Sequence, residues 1–368
     1  MTQKSLLLFE EFPGLQEKIP HVSLVKKTEV SQLKSLSEEL NANLWIKRDD
    51  QTTDVYGGNK PRKLEFTLAD VIEKQKTDVL TYGGTGSNHC LATSIFAQQL
   101  DITPVLVLFN QPLTADVQKK LLIFYSLGAE MLGPYGEIWG LAHFLLFKRF
   151  RKKTYYLPAG GSSPLGVLGF VNAALELKSQ IENGEMPKPD YLFVTCGTLG
   201  TMAGLLLGCK LANLKIEIIG VRVVQTFVSY YNWTFSFDNA ARKLARKTLN
   251  YLRKRDESIP KVEFKEKPTI LHDFYGGGYG KVTPEGVEAI DLMKKYENIT
   301  LDTTYTGKTF AALLNFIKEK GLTEEIILFW NTYNSRDISK LKNPEITYED
   351  LPKSFHKLFL EDLLVNSK

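Results

Sequence analysis

Apolar bursts alternate with helical periods along most of the chain. Continuous apolar runs at residues 79–82, 104–109, 191–195, 216–223 and 326–330 each end in glycine or a polar loop. A strand covered on both faces loses the polar alternation of a half-exposed one, so these runs read as strands of parallel sheets. Helical periods follow several of them, as at 87–100 and 201–214. That alternation predicts an α/β fold of open parallel sheets in three layers, with helices on both faces. Ligands on such sheets bind at the carboxyl ends of the strands. Two glycine-rich turns fall there: Gly83-Gly-Thr-Gly-Ser-Asn88 and Gly197-Thr-Leu-Gly-Thr201.

The pattern breaks in three places. Residues 226–267 are polar, aromatic and basic, and read as an insertion between core elements. After Ser335 the pattern is lost, and residues 337–368 read as a C-terminal appendage, helical at 351–364. The most apolar segment, 138–147, is too short to span a bilayer; it predicts a buried helix or a subunit contact rather than a lipid anchor.

The chain has 368 residues, enough for two domains with a sizeable core. A net charge of +4 is too small to imply nucleic acid. The basic clusters at 148–153 and 242–255 are local, and the second predicts the solvated face of a helix. Cys90, Cys196 and Cys209 stand in no paired spacing, which fits a reducing cytosol and neither a disulfide framework nor a metal site. The apolar run near the N-terminus is too short for a secretion signal. A cytoplasmic protein with no membrane or nucleic-acid partner is expected.

Candidate chemistry concentrates in four stretches. The first is Trp45-Ile-Lys-Arg-Asp-Asp50 followed by Tyr56-Gly-Gly-Asn-Lys-Pro-Arg-Lys-Leu-Glu65. It sets Lys60 directly after a glycine turn and directly before a helical pattern. The partial positive charge of a helix N-terminus favours a neutral, nucleophilic amine, which is what Schiff-base formation with an aldehyde cofactor requires. The same residues also read as a plain turn and a solvated basic helix start. The second stretch, Gly197-Thr-Leu-Gly-Thr201, joins a strand to a helix; its backbone N–H groups, with Thr198 and Thr201, can cup a phosphate. It carries neither the P-loop lysine nor the dinucleotide glycine fingerprint. An ordinary strand-to-helix turn is the competing reading.

In the third stretch, Ser87 and nearby N–H groups can hold a carboxylate, and Asn88 can meet a ring or phenolate oxygen. One of the two is also expected to cap the helix. His89 reads as a helix-start histidine. The fourth, Phe274-Tyr-Gly-Gly-Gly-Tyr-Gly280, lets a flat ligand pass close to Tyr279, with Thr283 capping a helix that has Pro284 at its first position.

Together these pieces resemble the pyridoxal-phosphate enzymes of the ACC deaminase/D-cysteine desulfhydrase family, within the tryptophan-synthase-β fold group. In family order they are the two pieces around Lys60, Gly86-Ser-Asn-His89, Pro158-Ala-Gly-Gly-Ser-Ser-Pro-Leu-Gly166, Gly197-Thr-Leu-Gly-Thr201, Gly278-Tyr-Gly280 and Asp302-Thr-Thr-Tyr-Thr-Gly-Lys308. The resemblance spans roughly residues 12–335. It implies a homodimer of two-domain subunits: a large cofactor domain from 1–63 and 176–368, and a small domain at 64–175. It implies that Lys60 holds pyridoxal 5'-phosphate, that Asn88 contacts its phenolic oxygen, and that Gly197, Thr198, Leu199, Gly200 and Thr201 hold its phosphate. Ser87 would receive the substrate carboxylate, and Tyr279 would stand near the reacting carbons.

Gly278 stands where the deaminase branch carries a glutamate facing the pyridine nitrogen, and Asn331-Thr-Tyr-Asn334 replaces a His-Thr-Gly-Gly run. Thr332 is retained and becomes a neutral partner for that nitrogen. The implied activity is β-elimination from D-cysteine or a similar small amino acid, giving a 2-oxo acid and ammonia. ACC deamination, and a cofactor-binding protein of weakened catalysis, are the alternatives.

Overall fold

The computed structural model describes residues 6–151, 153–224 and 236–365. In chain order the strands are β1 Val30–Gln32, β2 Asn43–Lys47, β3 Asp78–Gly84, β4 Thr103–Phe109, β5 Glu130–Tyr135, β6 Thr154–Tyr156, β7 Tyr191–Cys196, β8 Glu217–Arg222, β9 Thr269–Leu271 and β10 Ile326–Trp330. The helices are α1 Leu7–Glu11, α2 Lys34–Leu40, α3 Asn59–Glu73, α4 Asn88–Gln98, α5 Ala115–Ser126, α6 Glu137–Phe150, α7 Leu168–Glu182, α8 Gly200–Leu211, α9 Phe237–Arg253, α10 Pro284–Glu297, α11 Thr306–Lys320 and α12 Lys353–Val365.

The chain forms two compact units, Met1–Phe66 with Ser162–Arg336, and Thr67–Gly161 with Asp337–Lys368. The first holds a six-stranded sheet in the order β1-β2-β10-β7-β8-β9. Its strands bury both faces, as their continuous apolar runs predict. Phe193, Ile219, Ile327 and Phe329 pack against Ala289, Met293, Phe310 and Leu313 of α10 and α11. Leu192, Val194, Ile218, Leu328 and Trp330 pack on the other face against Phe170, Ala174, Met202 and Leu205 of α7 and α8. The sheet is parallel except at one edge, where Val30 pairs antiparallel with Lys47. The connection at 33–42 is shorter than the dozen or so residues that a parallel crossover needs, so the expectation of purely parallel sheets is corrected there.

The second unit holds a four-stranded parallel sheet, β5-β4-β3-β6. Leu80, Tyr82, Val105, Val107 and Phe144 form one side of its core. Three expected boundaries shift, the first only slightly, since residues 64–66 lie in the first unit. Residues 162–175 lie in the first unit, because α7 buries Phe170, Val171 and Ala174 in the cores it shares with α8. The appendage, expected with the large domain, lies in the second unit. There Gln118 of α5 donates to the Leu358 carbonyl at 2.8 Å, the Asn343 N–H donates to Ser126 Oγ at 3.0 Å, and Ser354 of α12 donates to the Gly133 carbonyl. Leu351 and Phe355 are buried, which gives the segment an apolar reason to dock.

The stretch 226–267 is only in part an insertion. Residues 226–235 lie outside the described residues. Helix α9 buries Phe237, Ala241, Ala245, Leu249 and Leu252 in the core of the first unit, and its exposed side carries the expected basic face at Lys243, Arg246 and Lys247. Helix α6 departs from the expectation of burial. Phe144 is buried, but Ile138, Trp139, Leu145, Leu146 and Phe150 are exposed.

Candidate active site

The Lys60 turn is built by close backbone approach. Gly58 has φ +93, and a Cβ on Gly57 would sit 1.8 Å from the Asp50 carbonyl oxygen, so only glycine fits at either place. The Gly58 N–H donates to the Asp49 carbonyl at 2.7 Å, and the Asn59 N–H to the Thr332 carbonyl at 3.2 Å. Helix α3 then starts, with Lys60 as its second residue. Beneath it lies a buried ionic network. Arg62 donates to both oxygens of Asp49, at 2.8 and 2.6 Å, and to Glu176 at 3.1 Å. Lys47 also pairs with Glu176, and Trp330 Nε1 donates to Asp49 at 2.7 Å. The Trp45-to-Asp50 piece therefore anchors the helix that carries Lys60.

The Lys60 amine donates to Asn59 Oδ1 at 2.6 Å, and Asn59 Nδ2 donates to Thr201 Oγ1 at 3.0 Å. One asparagine ties the amine to the 197–201 loop. Burial pushes the Lys60 amine down to about 8, against the opposing pull of the Asp302 carboxylate. Desolvation is thus the main cause, where the sequence alone suggested the helix terminus.

Within the 197–201 loop Leu199 takes the left-handed conformation at φ 64, immediately before α8, whose first residues are Gly200 and Thr201. Ser162 Oγ and Thr198 Oγ1 share a 2.7 Å hydrogen bond. A Cβ on Gly200 would lie 2.4 Å from Ser162 Oγ and 2.8 Å from Lys63 Nζ. The space a side chain would fill is thus edged by a hydroxyl and an amine. Lys63 is buried, and burial, then the nearby charge of Lys60, holds its amine well below the usual lysine range. Backbone N–H groups at a helix start, hydroxyls and a buried amine make a donor set that fits a phosphate. The residues present therefore fit pyridoxal phosphate: an amine for its aldehyde and a cup for its phosphate.

Tyr279 and Tyr305 share a 2.7 Å hydrogen bond between their phenolic oxygens. Burial, then Tyr279, then Asp302 hold the Tyr305 phenol well above its usual range, so it is a proton donor at neutral pH. Asp302 accepts from the N–H groups of Thr304, Tyr305 and Thr306, which fixes the turn into α11. Thr332 follows β10; its hydroxyl is 3.5 Å from Thr195 Oγ1, which in turn lies 2.7 Å from Thr309 Oγ1. Beside it the buried Asn331 amide nitrogen has no hydrogen-bond partner among the described residues.

Lys60, the 197–201 loop, Tyr279 and Thr332 all belong to the first unit; Ser87 and Asn88 belong to the second. Ser87 caps α4, accepting from the Cys90 N–H at 3.2 Å. Asn88 Oδ1 accepts from the buried Lys120 amine at 2.7 Å, and the Gly86 N–H donates to Gln111 at 2.9 Å. His89 is buried with Nε2 2.8 Å from Thr81 Oγ1, in keeping with a structural role. The sequence reading assigned no role to Asn59, Lys63, Ser162 or Tyr305. Lys63 stands one helical turn beyond Lys60, on the same face, and Tyr305 stands within the stretch from Asp302 to Lys308.

Comparison with known proteins adds four findings. The profile of the family described as "Pyridoxal-phosphate dependent enzyme" matches residues 23–332. A Klebsiella pneumoniae protein named D-cysteine desulfhydrase is 31% identical over 327 residues, covering 86% of this chain and 94% of that protein. A Pyrococcus horikoshii protein named, provisionally, as a 1-aminocyclopropane-1-carboxylate deaminase is 33% identical over 330 residues, covering 87% of this chain and 93% of its own. The crystal structure of an ACC deaminase homologue superposes with a TM-score of 0.74 at 31% identity, covering 88% of this chain and 94% of that one.

Proposed function

We propose that this chain, which belongs to the pyridoxal-phosphate-dependent enzyme family, is a lyase that eliminates the β-substituent of a small amino acid, with D-cysteine as the first candidate. The overall change is cysteine plus water to pyruvate, ammonia and hydrogen sulfide. The observation that carries the reading is the Lys60 amine, pushed down to about 8 and tied through Asn59 to the 197–201 loop.

Pyridoxal phosphate, when bound, supplies an aldehyde for the amino group and a ring that stabilises negative charge on the neighbouring carbon. The chain's own residues do the rest. Lys60 is half unprotonated near pH 8, so it can take the proton from the substrate α-carbon. The 197–201 loop, Ser162 and Lys63 hold the phosphate. Ser87 and the N–H groups around it receive the substrate carboxylate, and Asn88 meets the phenolic oxygen. Tyr279, paired with Tyr305, delivers a proton to the departing sulfur. Thr332 gives the pyridine nitrogen a hydroxyl in place of a carboxylate.

A neutral ring-nitrogen partner favours β-elimination over opening of the cyclopropane ring of ACC, the harder reaction. ACC deamination remains the second reading, supported by the relative so named. The protein is further proposed to act as a cytoplasmic homodimer. The test is turnover of D-cysteine, β-chloro-D-alanine and D-serine to pyruvate and ammonia, against ACC to 2-oxobutyrate and ammonia. Bound cofactor without turnover of any of them would overturn the lyase reading and leave a binding protein.

A further inference from the structure

The face of α6 is apolar where it should be wet. Along Glu137–Phe150 the exposed large apolar side chains are Ile138 at 59%, Trp139 at 69%, Leu145 at 55%, Leu146 at 52% and Phe150 at 68%, with the exposed Arg149 among them. At 100° per residue these five lie on one arc, with the exposed Ala142 at its middle. The opposite side is already occupied: Phe144 is buried in the core of the second unit, stacked on Tyr156. The helix is therefore largely apolar on two sides, and only one of them is covered. Helices of that kind are normally buried, and a contiguous exposed patch of this size marks a contact site.

We infer that this face is the contact with a second copy of the chain, with two α6 helices packed antiparallel about a two-fold axis. The inference rests on the homodimer proposed above and adds the surface that makes it. The first argument is area. Trp and Phe side chains each cover roughly 150–250 Å². With three aliphatic neighbours the face offers on the order of 500 Å² per copy, so two copies hide on the order of 1,000 Å², the lower limit for a specific interface.

The second argument is charge. The C-terminal end of α6 is basic: Arg149 and Lys153 are exposed, and Arg151 is there too, paired with Glu130. The exposed Glu137 opens the helix. A parallel pair would bring the two basic ends together. An antiparallel pair keeps them about 20 Å apart, beyond the screening length in physiological salt, while Glu137, about 150° around the helix from the middle of the apolar arc, stays outside the contact. The third is shape. Centred at position 144, the antiparallel pair puts Ala142 against the second copy's Leu146, small against large. Ile138 and Trp139 then face its Arg149 and Phe150. Such a self-complementary contact is what a two-fold interface requires.

The experiment is sedimentation velocity of the holoprotein and of Leu146→Glu, Trp139→Ala and the control Ile72→Glu, which is 49% exposed on α3. These side chains are exposed, so unchanged circular dichroism and cofactor absorbance are expected in all. The expected result is a dimer for the holoprotein and the control, with dimerisation weakened at least about tenfold in both α6 variants. A dimer that survives both α6 substitutions overturns the inference and leaves the homodimer standing. A monomeric holoprotein overturns both. Co-sedimentation of a monomer with phosphatidylcholine–phosphatidylserine vesicles, lost in Leu146→Glu, would assign the face to a lipid surface instead.

Discussion

Lys60 donates its amine hydrogen to the side-chain carbonyl of its own neighbour, Asn59, at 2.6 Å. The acceptor is neutral, so it orients the amine without stabilising the ammonium form as a carboxylate would. Burial then sets the amine near 8. Asn59→Asp should undo this balance. A carboxylate at that distance favours the charged form and raises the amine by about 1–3 pH units. The rate at which added pyridoxal phosphate is captured should therefore rise through a midpoint near pH 8 in the native protein, and through a clearly higher pH in the variant. Equal midpoints in a stopped-flow pH series would remove Asn59 from this role.

Lys60→Ala tests the anchor itself. The native protein, treated with borohydride, should keep the cofactor covalently attached, and the variant should not. Turnover should fall by about 10²–10⁴, the range for loss of a positioned proton carrier. A borohydride-stable link that persists in Lys60→Ala would place the anchor on another lysine, of which Lys63 is the nearest candidate.

Lys63 has a separate signature. Its amine borders the space left by Gly200, so its partner should be the phosphate and not the ring. Lys63→Met should weaken pyridoxal phosphate binding by about 10–100-fold, the worth of one charge-assisted hydrogen bond. Binding of pyridoxal, which has no phosphate, should change little. Equal losses for the two ligands, measured by fluorescence titration, would show that the lysine supports the fold instead.

How far the sequence led depends on whether a feature is written locally. Gly57 and Gly58 are local: a backbone that passes 1.8 Å from where a side chain would begin can only be glycine, so the turn before Lys60 is legible without tertiary knowledge. The 197–201 loop is legible for the same reason, since strand, glycine and helix start are contiguous. Tyr305 is not. Its meaning comes from Tyr279, 26 positions away, and from an aspartate that turns the chain. The docking of the appendage on the second unit is not legible either, because its helical period shows that one face is apolar and says nothing of the surface it covers. The antiparallel pairing of β1 with β2 is written in the short connection at 33–42, and the apolar runs carry no mark of strand direction.

The network under α3 gives an acid limit to stability. Burial pushes the Glu176 carboxyl up, but Arg62 and Lys47 override it and hold the group down at about 2. A carboxylate depressed in the folded state stabilises the protein above its unfolded value, near 4.3, and that contribution is lost as pH falls toward 2. Glu176→Gln removes the charge but keeps the shape, and leaves Arg62 and Lys47 facing a neutral amide. Breaking a buried pair from one side costs about 3–5 kcal/mol, so the variant should unfold at distinctly lower denaturant at pH 7. Because its network has no carboxylate at this position to protonate, the gap between the two proteins should close as pH drops from about 4 toward 2. Urea midpoints across that range check both the size and the slope. A gap that stays constant with pH would mean that Glu176 acts through packing and not through charge.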